Sequence, residues 1–113
     1  MIRIKRVYEP VAKDDGYRIL VDRLWPRGIK KEDAHIDKWL KDIAPSNELR
    51  KWFNHEPEKW KEFVTKYHKE INSSAALAEL HADIRDHKAI TLLYAAKNEE
   101  YNQAVALIKL LQK

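Results

Sequence analysis

The chain has no cysteine, only two glycines and four prolines among its 113 residues. Without a thiol there are no disulfides, no cysteine nucleophile, no zinc ribbon and no thiolate-bound iron–sulfur cluster. Two glycines leave little material for a phosphate cradle, and neither a P-loop nor a G-x-G-x-x-G turn is present. Nucleoside-triphosphatase and Rossmann dehydrogenase functions are therefore poor fits. No apolar run approaches the roughly 20 residues of a membrane helix. Met1 leads directly into the strand-like Ile2–Val7, not into the apolar stretch of a signal peptide. The expectation is a cytoplasmic protein with no membrane partner. Its length suits one domain spanning residues 1–113, since domains usually run to about 100–200 residues.

What is present is an ordinary globular composition, 44% hydrophobic and 35% charged. Four Trp and five Tyr point to a core built partly from large amphipathic rings. The net charge of +4 is unevenly spread. Residues 1–31 carry nine Lys/Arg against four Asp/Glu, and the rest of the chain carries thirteen against fourteen. Five of the seven arginines (Arg3, Arg6, Arg18, Arg23 and Arg27) lie in that first stretch. Arginine suits two-pronged contacts to carboxylate or phosphate. The excess therefore describes either an anion-attracting surface or the charged outer positions of an edge strand. For Arg3 and Lys5 the edge-strand reading is preferred.

Hydrophobic spacing divides the chain into strands and helices. Ile2, Ile4 and Val7 alternate with charges, as in a half-buried strand. Glu9–Gly16 reads as a loop ending in the Asp14-Asp15-Gly16 turn. Tyr17–Trp25 reads as an interior strand, with Leu20 and Leu24 on one face and Tyr17, Ile19, Val21, Arg23 and Trp25 on the other. Ile36–Ile43 fits a helical face and a strand equally. Ser46 has the position of a helix N-cap, and Pro57 suits the first turn of the next helix. Trp60, Phe63, Val64, Tyr67 and Ile71 form an apolar stripe. A further helix begins near Ser73 or Ser74, with Leu77, Leu80, His81 and Ile84 inward. Ala89–Ala96 contains no charge, the mark of a buried parallel strand. A last helix runs from about Asn98 to Leu111, with Tyr101, Val105, Ile108 and Leu111 inward. The pattern predicts an α/β fold: a small three-layer sandwich, its sheet mainly parallel, with helices on both faces.

In open α/β sheets ligands bind beyond the carboxyl ends of the strands. There the sequence places Arg23, Trp25, Arg27 and Gly28 after the second strand. Ser46 and Arg50 follow the Ile36–Ile43 segment, and Lys97, Asn98 and Asn102 follow the charge-free strand. The cluster of Arg23, Arg27, Arg50 and Lys97 is the best signal for an anion site. Trp25 suits either stacking on a ligand or packing as a lid, and Ser46 is a cap before it is a nucleophile, since no G-x-S-x-G elbow surrounds it. His55 is the candidate acid–base residue. The five histidines lack H-E-x-x-H spacing, so neither a metal nor another cofactor is expected.

The run Val21-Asp22-Arg23-Leu24-Trp25-Pro26-Arg27-Gly28 resembles the hallmark of the YeaO-like proteins, the bacterial domain-of-unknown-function family 488. Similar blocks follow in order: Trp39-Leu40 with Ala44-Pro45-Ser46; Leu49-Arg50, Trp52-Phe53, His55 and Pro57; Trp60, Phe63 and Tyr67; and Thr91–Lys97 followed by Asn102. The likeness spans nearly the whole chain. It implies a small stand-alone cytoplasmic α/β domain with no established reaction. The family's motif residues coincide with Arg23, Trp25, Arg27, Ser46, Arg50, His55, Lys97 and Asn102. One departure is Asn98, where relatives often carry Asp; a base or ligand role there would be missing from this chain.

Three functions compete. The first is an anion-binding strand-end pocket, possible also as an enzyme on a phosphorylated or carboxylated small molecule, with His55 as acid–base and Asn102 as orienting group. The second is a basic binding module for nucleic acid or an acidic partner, using Arg3, Lys5, Arg18 and Lys30. The third is a partner protein whose aromatics only fill the core. Oligomeric state is not legible.

Overall fold

A computed structural model of the chain describes residues 1–112. Four strands form the sheet: β1 (Ile2–Arg6), β2 (Tyr17–Leu20), β3 (Lys38–Trp39) and β4 (Ile90–Tyr94). Their order is β1-β4-β2-β3 and every pair is parallel. Five α-helices complete the sandwich: α1 (Lys31–Ala34), α2 (Asn47–Phe53), α3 (Trp60–Ile71), α4 (Ala75–Asp86) and α5 (Gln103–Leu111).

The charge-free strand lies at the centre. β4 pairs on both edges, with Leu92 opposite Ile4 of β1 and Ile19 of β2, and all five of its residues are buried. A strand covered on both edges and both faces tolerates almost no polarity. Thr91 is the exception, and its hydroxyl donates to the Asp15 carbonyl at 2.7 Å.

The two faces of the sheet differ. On one, Ile19, Val21, Ile90, Leu92 and Tyr94 pack beneath α2, α3, α4 and α5 in a single apolar core. Each large side chain buried there contributes about 1.5–3 kcal/mol relative to exposure. On the other face Val7, Leu20 and Leu93 are covered by Trp25, Ile29, Ile36 and Trp39, so the β2–β3 connection with its one-turn helix α1 stands in for a helical layer. Register also lines up Arg3, Thr91 and Arg18 across that second face. The acidic turn at Asp14-Asp15 collects its cations. Arg3 meets Asp14 at 2.7 Å, while the buried Asp15 takes Lys5 at 3.0 Å and Arg18. Arg18 is itself buried, with its remaining donors on the carbonyls of Ala34 and His35, so it is not the surface cation expected of a basic binding face.

Several elements depart from their sequence reading. β2 stops at Leu20 instead of running to Trp25, because Asp22 places its carboxylate on the Ala95 N–H and Pro26 offers no donor to extend the ladder. Leu24 is consequently exposed. The Ile36–Ile43 segment is a two-residue strand followed by a 3₁₀ turn at Lys41–Ile43. Asn98–Asn102 is a turn in which Asn98 accepts the N–H groups of Glu100 and Tyr101. Helix α5 starts after it and buries Ala104, Ala106 and Leu107, leaving Val105 and Ile108 only half-buried. His81 is exposed instead of packed.

Gly16 ends the acidic turn with φ +68°, and a Cβ there would overlap the Ala89 backbone carbonyl. Both strain and overlap act against any side chain. Gly16→Ala is expected to cost about 2–4 kcal/mol of stability in a denaturant titration; an unchanged midpoint would contradict this packing.

Candidate functional site

Helix α5 leaves β4 and packs back over β1, whereas the chain leaving β2 turns the other way toward β3. Diverging exits of this kind open a crevice at the carboxyl end of a parallel sheet. Here it is a cleft of about 260 Å³. The β2 exit supplies Asp22, Arg23, Trp25 and Pro26; the approach to α2 supplies Ala44 and Pro45, and α2 itself Asn47 and Arg50; the β4 exit supplies Ala95, Ala96 and Asn102, and the first residue of α5, Gln103, joins them. Phe53, Phe63 and Tyr101 give it an aromatic wall.

The local structure that aims these groups follows from the sequence. Ser46 caps α2 by accepting the Leu49 N–H at 3.1 Å, and its hydroxyl donates to Glu70. α2 then ends in two successive left-handed residues, Asn54 (φ +48°) and His55 (φ +55°). Such conformations cost a non-glycine residue on the order of 1 kcal/mol each, and they carry His55 to the cleft rim, where it is exposed. Asn102 caps α5, accepting the Val105 N–H at 3.0 Å and donating to the Asn98 carbonyl at 2.9 Å. The positive end of α5 thus opens on the cleft.

Two side chains carry its electrostatics. Arg23 sends one Nη to the carbonyls of Ala44 and Pro45 at 3.2 and 3.4 Å, and its buried Nε has no partner. It forms no ion pair among the described residues. Asp22 accepts the Ala95 N–H at 2.8 Å and the Gln103 side-chain amide, again with no cation paired to it. Burial pushes its carboxyl from the ordinary 3.8 up to about 6, and those two donors only partly offset that rise.

Of the residues selected from sequence, Arg23, Trp25, Arg50, His55 and Asn102 meet in this cleft. Arg27, Ser46 and Lys97 are not among its lining residues. Arg27 and Lys97 are exposed outside it, and Ser46 is committed to its cap and to Glu70. Trp25 combines lid and core, its Nε1 donating to the Ile29 carbonyl at 2.7 Å and its edge meeting Trp39. Sequence reasoning missed Asp22 and Gln103. Strand alternation puts Asp22 on the face opposite Arg23, but the alternation ends with β2 at Leu20. A lone carboxylate immediately after the apolar Ile19–Val21 was the available signal. No group of three His, Asp or Glu side chains able to hold a metal ion comes together among the described residues. Nor does any helix have the length and apolarity to cross a membrane.

Comparison with known proteins places these residues in context. Over residues 1–113 the chain matches the family described as the inactive DUF488-N3 subclade. It is 49% identical over 106 residues to the uncharacterized protein YeaO of Escherichia coli K12, covering 94% of this chain and 92% of that one. It is 44% identical over 110 residues to the uncharacterized protein Rv3073c of Mycobacterium tuberculosis H37Rv, covering 97% of this chain and 92% of that protein. The uncharacterized protein Mb3100c of Mycobacterium bovis shows the same identity and coverage. No solved structure matches the chain.

The raised carboxyl of Asp22 has a measurable consequence. Folding moves its pKa upward, so the native state holds the proton more tightly than the unfolded chain between pH 3.8 and about 6. This contribution to stability is full below that window and falls as pH rises through it, leaving a cost on the order of 2–3 kcal/mol at neutral pH. Asp22→Asn is expected to melt above the parent at pH 7.5, with the gap closing by pH 4. A constant gap across that range would contradict the assignment.

Proposed function

We propose that the chain, which belongs to the YeaO-like DUF488 family and within it to the subclade described as inactive, is a binding protein that takes a small carboxylated or phosphorylated molecule in the strand-end cleft without transforming it. The observation that carries this reading is Arg23: a half-buried guanidinium facing an aromatic-walled cleft, with no carboxylate partner and an unsatisfied Nε. A guanidinium in a partly desolvated cleft with no ionic partner favours an anion beside it, since charge-assisted hydrogen bonds are about twice as strong as neutral ones. Arg50, on the same wall and free of any ion pair among the described residues, adds a second cation.

Binding without turnover is supported by what surrounds those cations. The one hydroxyl proposed from sequence as a remote nucleophile, Ser46, is held as a helix cap. His55 stands exposed at the rim with no hydrogen-bonded orienting group among the described residues, unlike an acid–base residue held in position for catalysis. The subclade's description points the same way. The alternative of a basic module for nucleic acid is weakened by the pairing of Arg3, Lys5 and Arg18 with Asp14 and Asp15, which leaves few free cations on that face.

A thermal-shift series at low salt tests this reading with aromatic and aliphatic carboxylates, phosphate monoesters and short oligonucleotides. A ligand at about 100 times its Kd adds about 2.7 kcal/mol and raises Tm. Small anions are expected to stabilise the parent. Arg23→Ala, which removes charge-assisted hydrogen bonds worth about 1.5–3 kcal/mol, is expected to weaken them about 10- to 100-fold while keeping the fold. Stabilisation by oligonucleotides alone, or equal shifts in the variant, would overturn it.

A further inference from the structure

Two groups of shielded charges in this molecule are paired with opposite charge, while the half-buried Arg6 rests on the carbonyls of Ala96 and Ala95 and over the Tyr8 ring. Asp15 holds Lys5 and Arg18, and Lys38 sits between Glu79 and Asp83 at 2.7 and 2.9 Å. The consecutive residues Asp22 and Arg23, just beyond β2, differ from both cases in bringing charges of opposite sign to one cleft. Asp22 and Arg23 both line the cleft, yet they are not paired with each other or with any other ionised side chain among the described residues. The carboxylate is held in place by neutral donors from Ala95 and Gln103, one to each oxygen, so each oxygen retains acceptor capacity. The guanidinium is steered by two carbonyls through a single nitrogen, and its Nε has nothing to donate to.

A cleft with separate positive and negative groups, neither paired with an opposite charge, is complementary to a molecule that carries both charges itself. Resting on the anion-binding reading above, we infer that the ligand is a zwitterion: a free α-amino acid with an aromatic or large aliphatic side chain, its carboxylate on Arg23, its ammonium on Asp22 and its side chain against Trp25, Phe53 and Phe63. The charges of an α-amino acid are separated by one carbon, which suits recognition by neighbouring residues. The guanidinium fork matches a planar carboxylate. A phosphate dianion would bring two charges beside Asp22 in a low-dielectric site, where like charges repel strongly. The cleft, at about 260 Å³, also lies below the roughly 300–1,000 Å³ of sites for drug-sized ligands, in keeping with a single small molecule. An ammonium bound there would give the Asp22 carboxylate an ionic partner and offset the penalty of its burial.

Titration calorimetry on the full chain at pH 7.5 separates this inference from the reading it rests on. The probes are L-phenylalanine, 3-phenylpropionate, which lacks the ammonium, and phenethylamine, which lacks the carboxylate. L-leucine with 4-methylpentanoate, and L-tryptophan with indole-3-propionate, repeat the comparison for other side chains. For at least one side chain, the amino acid is expected to bind ten-fold or more tightly than its ammonium-free analogue, with phenethylamine weak. In Asp22→Asn, which is isosteric and checked for folding by its melting curve, that preference should disappear while the ammonium-free acid binds as well as before or better. If the ammonium-free acids bind the parent as tightly as the amino acids, the zwitterion inference fails and the anion site stands. If no carboxylate binds, both fail.

Discussion

A strand that pairs on both edges and is covered on both faces leaves the chain little freedom in how it surrounds it. β4 occupies that place, and every other element is arranged to complete its burial. β1 and β2 flank it in parallel, which forces long crossovers; the one between β3 and β4 supplies α2, α3 and α4 to a single face. α5 then folds back over β1 and β4. Because α5 departs one way from β4 and the β2–β3 connection departs the other, the carboxyl end of the sheet must open between them. The cleft is a consequence of the strand order, and its chemistry is whatever residues happen to follow β2 and β4.

Those residues are unusual in how their charge is left. At the Asp14-Asp15 turn and in the Lys38 cluster, cations are partnered with carboxylates. Just beyond β2, a half-buried carboxylate and a half-buried guanidinium line one cleft, each without an ionic partner among the described residues. Unpaired buried charge is destabilising, and its persistence beside an aromatic-walled cavity is the pattern expected where a ligand completes the pairing. On the proposed reading, the same feature suits a receptor better than a catalyst. Recognition needs complementary charge and an apolar wall, whereas turnover needs an oriented acid–base or nucleophile, and His55 and Ser46 are not placed as one.

Much of this was legible in the residues. The charge-free Ala89–Ala96 run announced the buried strand that lies at the centre, Ser46 and the Ser73–Ser74 pair announced helix starts that the structure bears out, and the strand-end rule brought Arg23, Trp25, Arg50 and Asn102 to one cleft, with His55 beside them. What escaped depended on tertiary facts. Asp22 was hidden because the alternation of β2 was carried past its true end. Arg27 and Lys97 were grouped with Arg23 by chain position, yet the turns that follow each strand carry them to the surface. The inward face of α5 was misjudged because Ala104, Ala106 and Leu107 fit close against the sheet where the larger Val105 and Ile108 do not, and small residues give little periodic signal. Arg3 and Lys5 lie on an edge strand as read, but their pairing, and that of Arg18, with Asp14 and Asp15 is decided by register across the sheet, which hydrophobic spacing does not reveal.

The central claim is that ligand recognition is seated between the β2 and β4 exits. Proton–nitrogen correlation NMR of the labelled chain, titrated with a small aromatic carboxylate, tests it most directly. The account predicts progressive shifts at the Arg23 Nε–H, the Ala95 amide and the Gln103 side-chain amide, with the Arg3–Arg6 strand amides and the Asp14-Asp15 turn unmoved. Shifts concentrated instead at Arg3, Lys5 and Lys30, with the cleft resonances unchanged, would contradict it.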